Sequence, residues 1–446
     1  MAKAYTLTPS NVIGLLSLIG DGQILRPQIL RDRYNDPQSV QGCEFLFQQL
    51  ERLVSDSILG LMAKYRADPF NGKVDLGVGV YRDLSGNTPI LECVRRAEKE
   101  VLAAQTTKSY IGAAGREEFN SALEELVLGA AHVARKDRRA RTLQCPGGCG
   151  ALRVGAELIK AASPGAVVYL SDPTWGNHAP LLGGCGLKLE RYPYYEAAAH
   201  ELRFDAMLQR LQTASAGDVV LIHACCHNPT GADLNAEQWQ AVTELLLRRK
   251  LVPYLDIAYQ GFGSSLEADA APIRMVVERV PEALIAVSFS KNLGLYRERV
   301  GGLIVVSENA ARADTVQSHM LHIARSIYSM PPDHGAAIAA RIFAEPQLRQ
   351  QWVRELDAMR TRIMDMRALL AGRLREVTGG NSFDFIRTQH GMFSLLGVSR
   401  DAVERLREKH HIYMTSDSRM NLAGIMPDNV TYVAEAFAAE SAVIPA

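Results

Sequence analysis

Four short stretches of this chain place chemically able side chains directly after an apolar run. "VVYL" (167–170) leads into "SDPTWGNH", with Trp175 and His178, and "VVLI" (219–222) leads into "HACCHNPTG", with His223 and Asn228. "VPYL" (252–255) leads into "DIAYQGF", with Asp256 and Tyr259, and "LIAV" (284–287) leads into "SFSKN", with Ser288, Ser290 and Lys291. A lysine amine forms a Schiff base with an aldehyde, and burial lowers its pKa enough to make it nucleophilic. A buried carboxylate opposite a ring nitrogen would keep that nitrogen protonated. A tryptophan face can stack on a heteroaromatic ring, and Tyr259 with Asn228 can hydrogen-bond a phenolic oxygen on it. In "CPGGCGALR" (145–153), Gly147 and Gly148 stand just before an expected helix, where backbone N–H groups and the helix terminus favour a phosphate. Arg299 can close a two-pronged clamp on the same phosphate. A ligand with an aldehyde, a pyridine nitrogen, a phenolic oxygen and a phosphate is pyridoxal phosphate.

Such a set converges only if the runs are neighbouring strands ending on one rim. The pattern between about 150 and 306 supports this. "ALRVGAELIKAA", "FDAMLQRLQTA" and "NAEQWQAVTELLLRRK" space their apolar residues as helices do, the last with Asn235 as a plausible N-cap. "AVVYLSD", "DVVLIHACC", "VPYLDIAY", "ALIAVSFS" and "GGLIVVS" are continuous apolar strands. Alternation of this kind predicts an α/β fold with a mostly parallel sheet covered on both faces. In such sheets ligands bind outside the carboxyl ends of the strands. After about residue 310 the texture changes. "QLRQQWVRELDAMRTRIMDMRALLAGRLREV" reads as one long amphipathic stretch able to pass into a smaller α+β unit made of "FDFIR", "GMFSLLG" and the helix "RDAVERLREKH".

Composition narrows the function classes. The 446 residues hold 49 basic and 49 acidic side chains, which gives no electrostatic reason to expect nucleic acid or an anionic membrane as partner. No apolar run approaches the ~18 residues of a membrane span. Seven cysteines in so long a chain do not form a disulfide scaffold and point to a reducing compartment. Cys145, Cys149, Cys225 and Cys226 have poor spacing for tetrahedral zinc, so buried free thiols are expected and no metal. Residues 1–45 read as an extension. "SNVIGLLSLIG" makes a weak secretory signal, and Asp21 and Asp32 interrupt a presequence-like basic run. The expected location is cytoplasmic, with mitochondrial as the alternative.

"NPTG", "DIAYQGF" and above all "SFSKNLGLYRERVGG" resemble the signature segments of class I pyridoxal-phosphate aminotransferases of the aspartate/aromatic subgroup. "DLGVGVYRD", "TKSYIGAAG", "IYSMPPDHG" and "SRMNLAGIMPDN" extend the likeness from about residue 46 to about 435. The resemblance implies the type I fold of these transferases: a large domain (89–358) with a mostly parallel seven-stranded sheet, and a smaller α+β domain made from 46–88 and 359–446. It implies that Lys291 carries the cofactor and then acts as general base. Asp256 would pair with the pyridinium nitrogen, backed by His178 and His223. Tyr259 and Asn228 would hold the ring oxygen, and Trp175 would stack. Phosphate would fall to Gly147, Gly148, Cys149, Ser288, Ser290 and Arg299, with Tyr110 reaching in from a partner subunit of a homodimer with shared sites. Arg419, helped by the Gly79 backbone, would grip the substrate α-carboxylate. Arg325 of the other chain would meet the distal carboxylate of aspartate, glutamate or their 2-oxo acids.

Two residues depart from the pattern. Cys149 stands where the family usually has a threonine, and a thiol is a weak donor. Met330 stands where the aspartate enzymes usually have asparagine, which hints at tolerance of aromatic substrates. The expected activity is ping-pong transfer of the amino group of aspartate, and of aromatic amino acids, to 2-oxoglutarate. Rivals on the same scaffold would release ammonia or carbon dioxide, and a catalytically silent relative would need a broken site.

Overall fold

The computed structural model describes residues 57–441 together with Phe47, Leu50 and Glu51, so the expected extension at 1–45 lies outside the described residues. Seven strands form the central sheet: β1 (Ala140–Pro146), β2 (Val167–Asp172), β3 (Lys188–Pro193), β4 (Val219–His223), β5 (Val252–Ile257), β6 (Ala283–Ser288) and β7 (Val300–Val306). Their order is β1-β7-β6-β5-β4-β2-β3. Only β7 runs against its neighbours, β1 and β6. The remaining pairs are parallel. The mostly parallel seven-stranded sheet is therefore present.

Alternation along each strand divides the apolar residues between two faces. Val220, Ile222, Leu255, Ile257, Ile285 and Val287 belong to one packed cluster. Val219, Leu221, Tyr254, Leu284 and Ala286 belong to another, which also takes Ala151, Leu152 and Val154 of helix α1 (Gly147–Ala162). Strands β4, β6 and β7 are buried at every residue, whereas the edge strand β3 is mostly not. That is the burial expected of central strands covered on both faces.

Local chemistry sets the ends of the elements. Helix α2 (Ala236–Arg249) starts on a capping box: Asn235 Oδ1 accepts from Gln238 N–H, and Gln238 Oε1 accepts from Asn235 N–H, both at 2.9 Å. The strand expected to run through "HACC" stops at His223. Cys226 takes φ +51°, and the Asp233 carboxylate accepts from the Cys226 and His227 N–H groups at 2.7 and 2.8 Å. Those bonds replace the ladder with a turn. Helix α1 begins earlier than its apolar spacing suggested, because Gly147, Gly148 and Cys149 are its first turn rather than a loop before it.

Helix α3 (Ala310–Ile327) packs Met320, Ile323 and Ala324 on the second cluster. The long amphipathic stretch is one helix of 33 residues, α4 (Pro346–Thr378), with proline in its first turn and Gly379 left-handed (φ +68°) at its end. Two buried arginines of α4 gather the chain that follows. Arg367 donates to the carbonyls of Ile386, Gly391 and Phe393 and to Ser394 Oγ. Arg362 donates to the Ile425 carbonyl. These bonds fix a set of short strands, Phe393–Leu395 against Arg419–Asn421 and Val74–Asp75 against Ile412–Tyr413. Among the described residues no helix is long and apolar enough to cross a membrane.

The start of α1 approaches the sheet closely. A Cβ on Gly301 in β7 would sit 2.7 Å from the Gly147 carbonyl carbon and collide with the Val287 carbonyl oxygen. Replacing Gly301 with alanine is therefore expected to lower the unfolding free energy by about 1–3 kcal/mol, the usual penalty of overpacking, as read from urea midpoints.

Candidate active site

The strand ends bring the chemistry together. His223 and Asp256 are register partners at the ends of β4 and β5. Ser288 closes β6, and the antiparallel β7 starts next to it, so Arg299 stands on the same rim. A cavity of about 270 Å³ opens there. Gly79, Gly148, Cys149, Trp175, His223, Asn228, Asp256, Tyr259, Ser288, Ser290, Lys291, Arg299 and Arg419 all line it.

Asp256 is 5% exposed and accepts a hydrogen bond from His178 Nε2 at 3.0 Å, while Thr174 Oγ1 lies 2.8 Å from the other ring nitrogen of His178. Burial pushes the carboxyl up, but the His178 hydrogen bond, the charge of His178 and the Lys291 ammonium outweigh it and leave Asp256 below its ordinary range. Burial lowers the Lys291 amine. The Asp256 carboxylate partly offsets this, and Arg299 and Arg419 add to it. The Lys291 amine also lies 4.9 Å from the centre of the Tyr259 ring. Burial raises the Tyr259 phenol and keeps it a neutral donor. Trp175 meets His178 edge-on, 5.2 Å between ring centres.

On the other side lies a cationic cradle. Arg299, left-handed at φ +54°, donates to Ser290 Oγ at 3.3 Å and to the Tyr296 carbonyl at 3.1 Å. Among the described residues it has no carboxylate partner. A Cβ on Gly147 (φ +69°) would sit 2.7 Å from the guanidinium, and one on Gly148 would crowd Ser288 at 3.1 Å. The glycines thus let a helix N-terminus, two serine hydroxyls and an arginine face the same space, which suits a phosphate. Opposite, Arg419 is buried. It donates to Asn228 Oδ1 at 3.2 Å and to the Gly77 carbonyl at 2.9 Å, and lies 4.3 Å over the Phe393 ring. One rim therefore offers an amine, an ionised carboxylate, a phenol, an anion cradle and a second arginine. These fit each part of pyridoxal phosphate.

Tyr110 and Arg325 do not line this cavity. Tyr110 is 91% exposed, and Arg325 is exposed and turned to Ser329 Oγ of its own chain. His178 stands behind Asp256 rather than in the cavity. His178, His223 and Asp256 bring ligating atoms within 4.8 Å of one another, but the His178–Asp256 hydrogen bond already engages two of the three. Cys225 and Cys226 group with Asp269, without Cys145 or Cys149 among the described residues.

Sequence reasoning passed over several residues of the site. Tyr296 and Phe393 line the cavity. Tyr296 lies in the lysine segment itself, five residues past Lys291, and that proximity was the available signal. Phe393 reads only as a strand residue in "GMFSLLG". His227 extends the histidine row, 4.4 Å from His223 between ring centres and stacked on Tyr194 at 4.0 Å.

The family model described as aminotransferase class I and II matches residues 71–437. The chain is 44% identical over 381 residues to an aromatic-amino-acid aminotransferase of Paracoccus denitrificans, covering 85% of this chain and 96% of that one. It is 43% identical over 394 residues to an aspartate aminotransferase of Escherichia coli, covering 88% and 100%. An aromatic-amino-acid aminotransferase from Burkholderia pseudomallei, solved covalently bound to pyridoxal phosphate, superposes with a TM-score of 0.87 at 42% identity, over 89% of this chain and all of that one.

His223 tests the electrostatics directly. Burial is the main cause that brings its pKa down to about 3, with the charge of His178 adding to it. The unfolded value is about 6.5, so between the two the unfolded chain binds a proton that the fold refuses, and stability falls as the pH drops through that window. In His223→Gln, the loss of unfolding free energy between pH 6.5 and 4 should be shallower by up to about 1.4 kcal/mol per pH unit, as measured by denaturant titration at each pH.

Proposed function

This chain belongs to the class I and II aminotransferases, and from that premise we propose that it takes aspartate and aromatic amino acids as donors and 2-oxoglutarate as acceptor. It is a pyridoxal-phosphate-dependent enzyme whose substrates are amino acids and 2-oxo acids. The observation that carries the donor range is the pairing of the buried Arg419, within the cavity, with an exposed Arg325 and a neighbouring Met330 outside it. The names of the relatives, aspartate and aromatic-amino-acid aminotransferases, support the same range.

When bound, the cofactor supplies an aldehyde for an amine and a ring that accepts the electron pair released at the substrate Cα. The rest falls to the chain. Lys291 Nζ would hold the aldehyde end and, once the amino acid has displaced it, would carry the proton from the substrate Cα to the carbon that had borne the aldehyde. Its lowered pKa leaves a larger share of the amine free to act as base. Asp256, kept ionised by His178, holds the proton on the ring nitrogen. Tyr259 and Asn228 orient the ring oxygen, and Trp175 covers the ring face. Arg299, Ser288, Ser290 and the first turn of α1, including Cys149, fix the phosphate, with a backbone N–H standing in for the missing threonine hydroxyl. Arg419 binds the α-carboxylate in a planar two-bond fork. Tyr110 and Arg325, both outside their own chain's cavity, act in the site of the other subunit of a homodimer. We place the boundary between the large and small domains within α4, near residue 358. We place the enzyme in the cytoplasm, since the cited curated relatives are bacterial.

Single-turnover rates with aspartate, glutamate, tyrosine, phenylalanine and tryptophan, each given alone to the loaded enzyme, test the reading. Arg325→Leu should slow the dicarboxylic donors about 100-fold, the scale of losing a desolvated charge pair, and the aromatic donors only a few-fold. Arg419→Lys should slow all of them. Equal losses across both donor classes in Arg325→Leu would remove Arg325 from the distal-carboxylate role.

A further inference from the structure

The segment Gly77–Tyr81 is irregular backbone, yet it lines the cavity at Gly79, so something other than a sheet ladder must satisfy and hold it. Three of its carbonyls are captured by side chains of the strand Arg419–Asn421. Arg419 Nη2 donates to Gly77 O at 2.9 Å, and Asn421 Nδ2 donates to both Val78 O at 2.6 Å and Val80 O at 2.8 Å. Asn421 is 1% exposed. Its Oδ1 accepts from Ala423 N–H at 3.0 Å and its own N–H donates to Leu76 O at 2.7 Å, so the amide has one orientation and no slack. The far end of the segment is held from the opposite side. Tyr81 N–H donates to the phenol oxygen of Tyr296 at 2.9 Å, and Tyr296 lies on the Lys291 segment. Arg362 of α4 lies 5.6 Å over the Tyr81 ring.

From this geometry we infer that Asn421 and Tyr296 are positioning residues for substrate carboxylate recognition. They clip the Gly77–Tyr81 segment between the strand that carries Arg419 and the segment that carries Lys291, and so set the distance between the arginine and the amine. The inference rests on the reading of Arg419 as the α-carboxylate site. No hydrogen bond joins either side chain to Asp256, Tyr259 or Lys291. Losing them therefore weakens carboxylate binding and leaves the electronic state of the bound cofactor alone. Tyr296→Phe removes only the acceptor of one N–H and keeps the ring in place. Asn421→Ala strips the donor from two carbonyls at once.

The test is succinate binding to the loaded enzyme by calorimetry, with thermal melts and the absorbance spectrum of the bound cofactor recorded on the same samples. Succinate carries the carboxylates without an amine and cannot react. Tyr296→Phe should weaken succinate about fivefold and Asn421→Ala about tenfold or more, the scale of one and of two net hydrogen bonds. KM for amino and 2-oxo acids should rise in parallel while the cofactor spectrum and its pH titration stay as in the parent enzyme. A merely structural role would lower the melting temperature and kcat and leave the succinate Kd unmoved, and that result in Tyr296→Phe overturns the inference even if Asn421→Ala fails to fold. If the parent enzyme bound neither succinate nor the monocarboxylate 3-phenylpropionate, the reading of Arg419 would fall first and this inference with it.

Discussion

Asp256 ends a central strand with a carboxylate almost closed to solvent, and an ionised carboxylate in such a place must be compensated or it neutralises. The surrounding structure supplies the compensation. His178, itself aimed by Thr174, donates to it, and Lys291 faces it from the end of the next strand, while the unprotonated His223 fills the register position on the neighbouring strand. The strand order β6-β5-β4-β2 is what makes these residues neighbours, since they come from four separate strand ends. A sheet with another order would keep the same apolar core and scatter the charges.

The anion cradle answers the same constraint from the other side. Two glycines at the start of α1 and a third in β7 remove the Cβ atoms that would hold the helix away from Arg299 and Ser288. The guanidinium rests on a serine hydroxyl and a backbone carbonyl rather than on an acidic side chain, so its charge stays available to a dianion. The result is a cavity with an acidic group at one end, a cationic cradle at another and a buried arginine on the third side, spanned by a lysine whose amine burial has made less basic.

Much of this could be read from the chain because it lies within a few residues of strand ends. Lys291, Asp256, Tyr259, Asn228 and His223 each lie within six residues of the end of an apolar run, and a parallel sheet gathers such residues on one rim. The glycines of "CPGG" stand ahead of the apolar helical spacing and add nothing to it, yet the structure uses them as a first helical turn pressed against β7. The apolar run overshoots the end of β4, because nothing in it marks Asp233 as the acceptor that turns the chain at Cys226. Phe393, Asn421 and the paired arginines of α4 were silent for another reason. Their partners lie tens to hundreds of residues away, and a buried arginine serving carbonyls has the same spelling as a solvated one on a helix face. Tyr110 and Arg325 stay exposed in the single chain, so their assignment to a neighbour's site came from the family pattern alone.

The most direct test of the central claim is the site of covalent attachment. The loaded protein would be reduced with borohydride, digested, and its peptides read by mass spectrometry. Our account predicts one phosphopyridoxyl adduct, on the peptide bearing Lys291. An adduct on a different lysine, or none on a protein that had bound the cofactor, would contradict it.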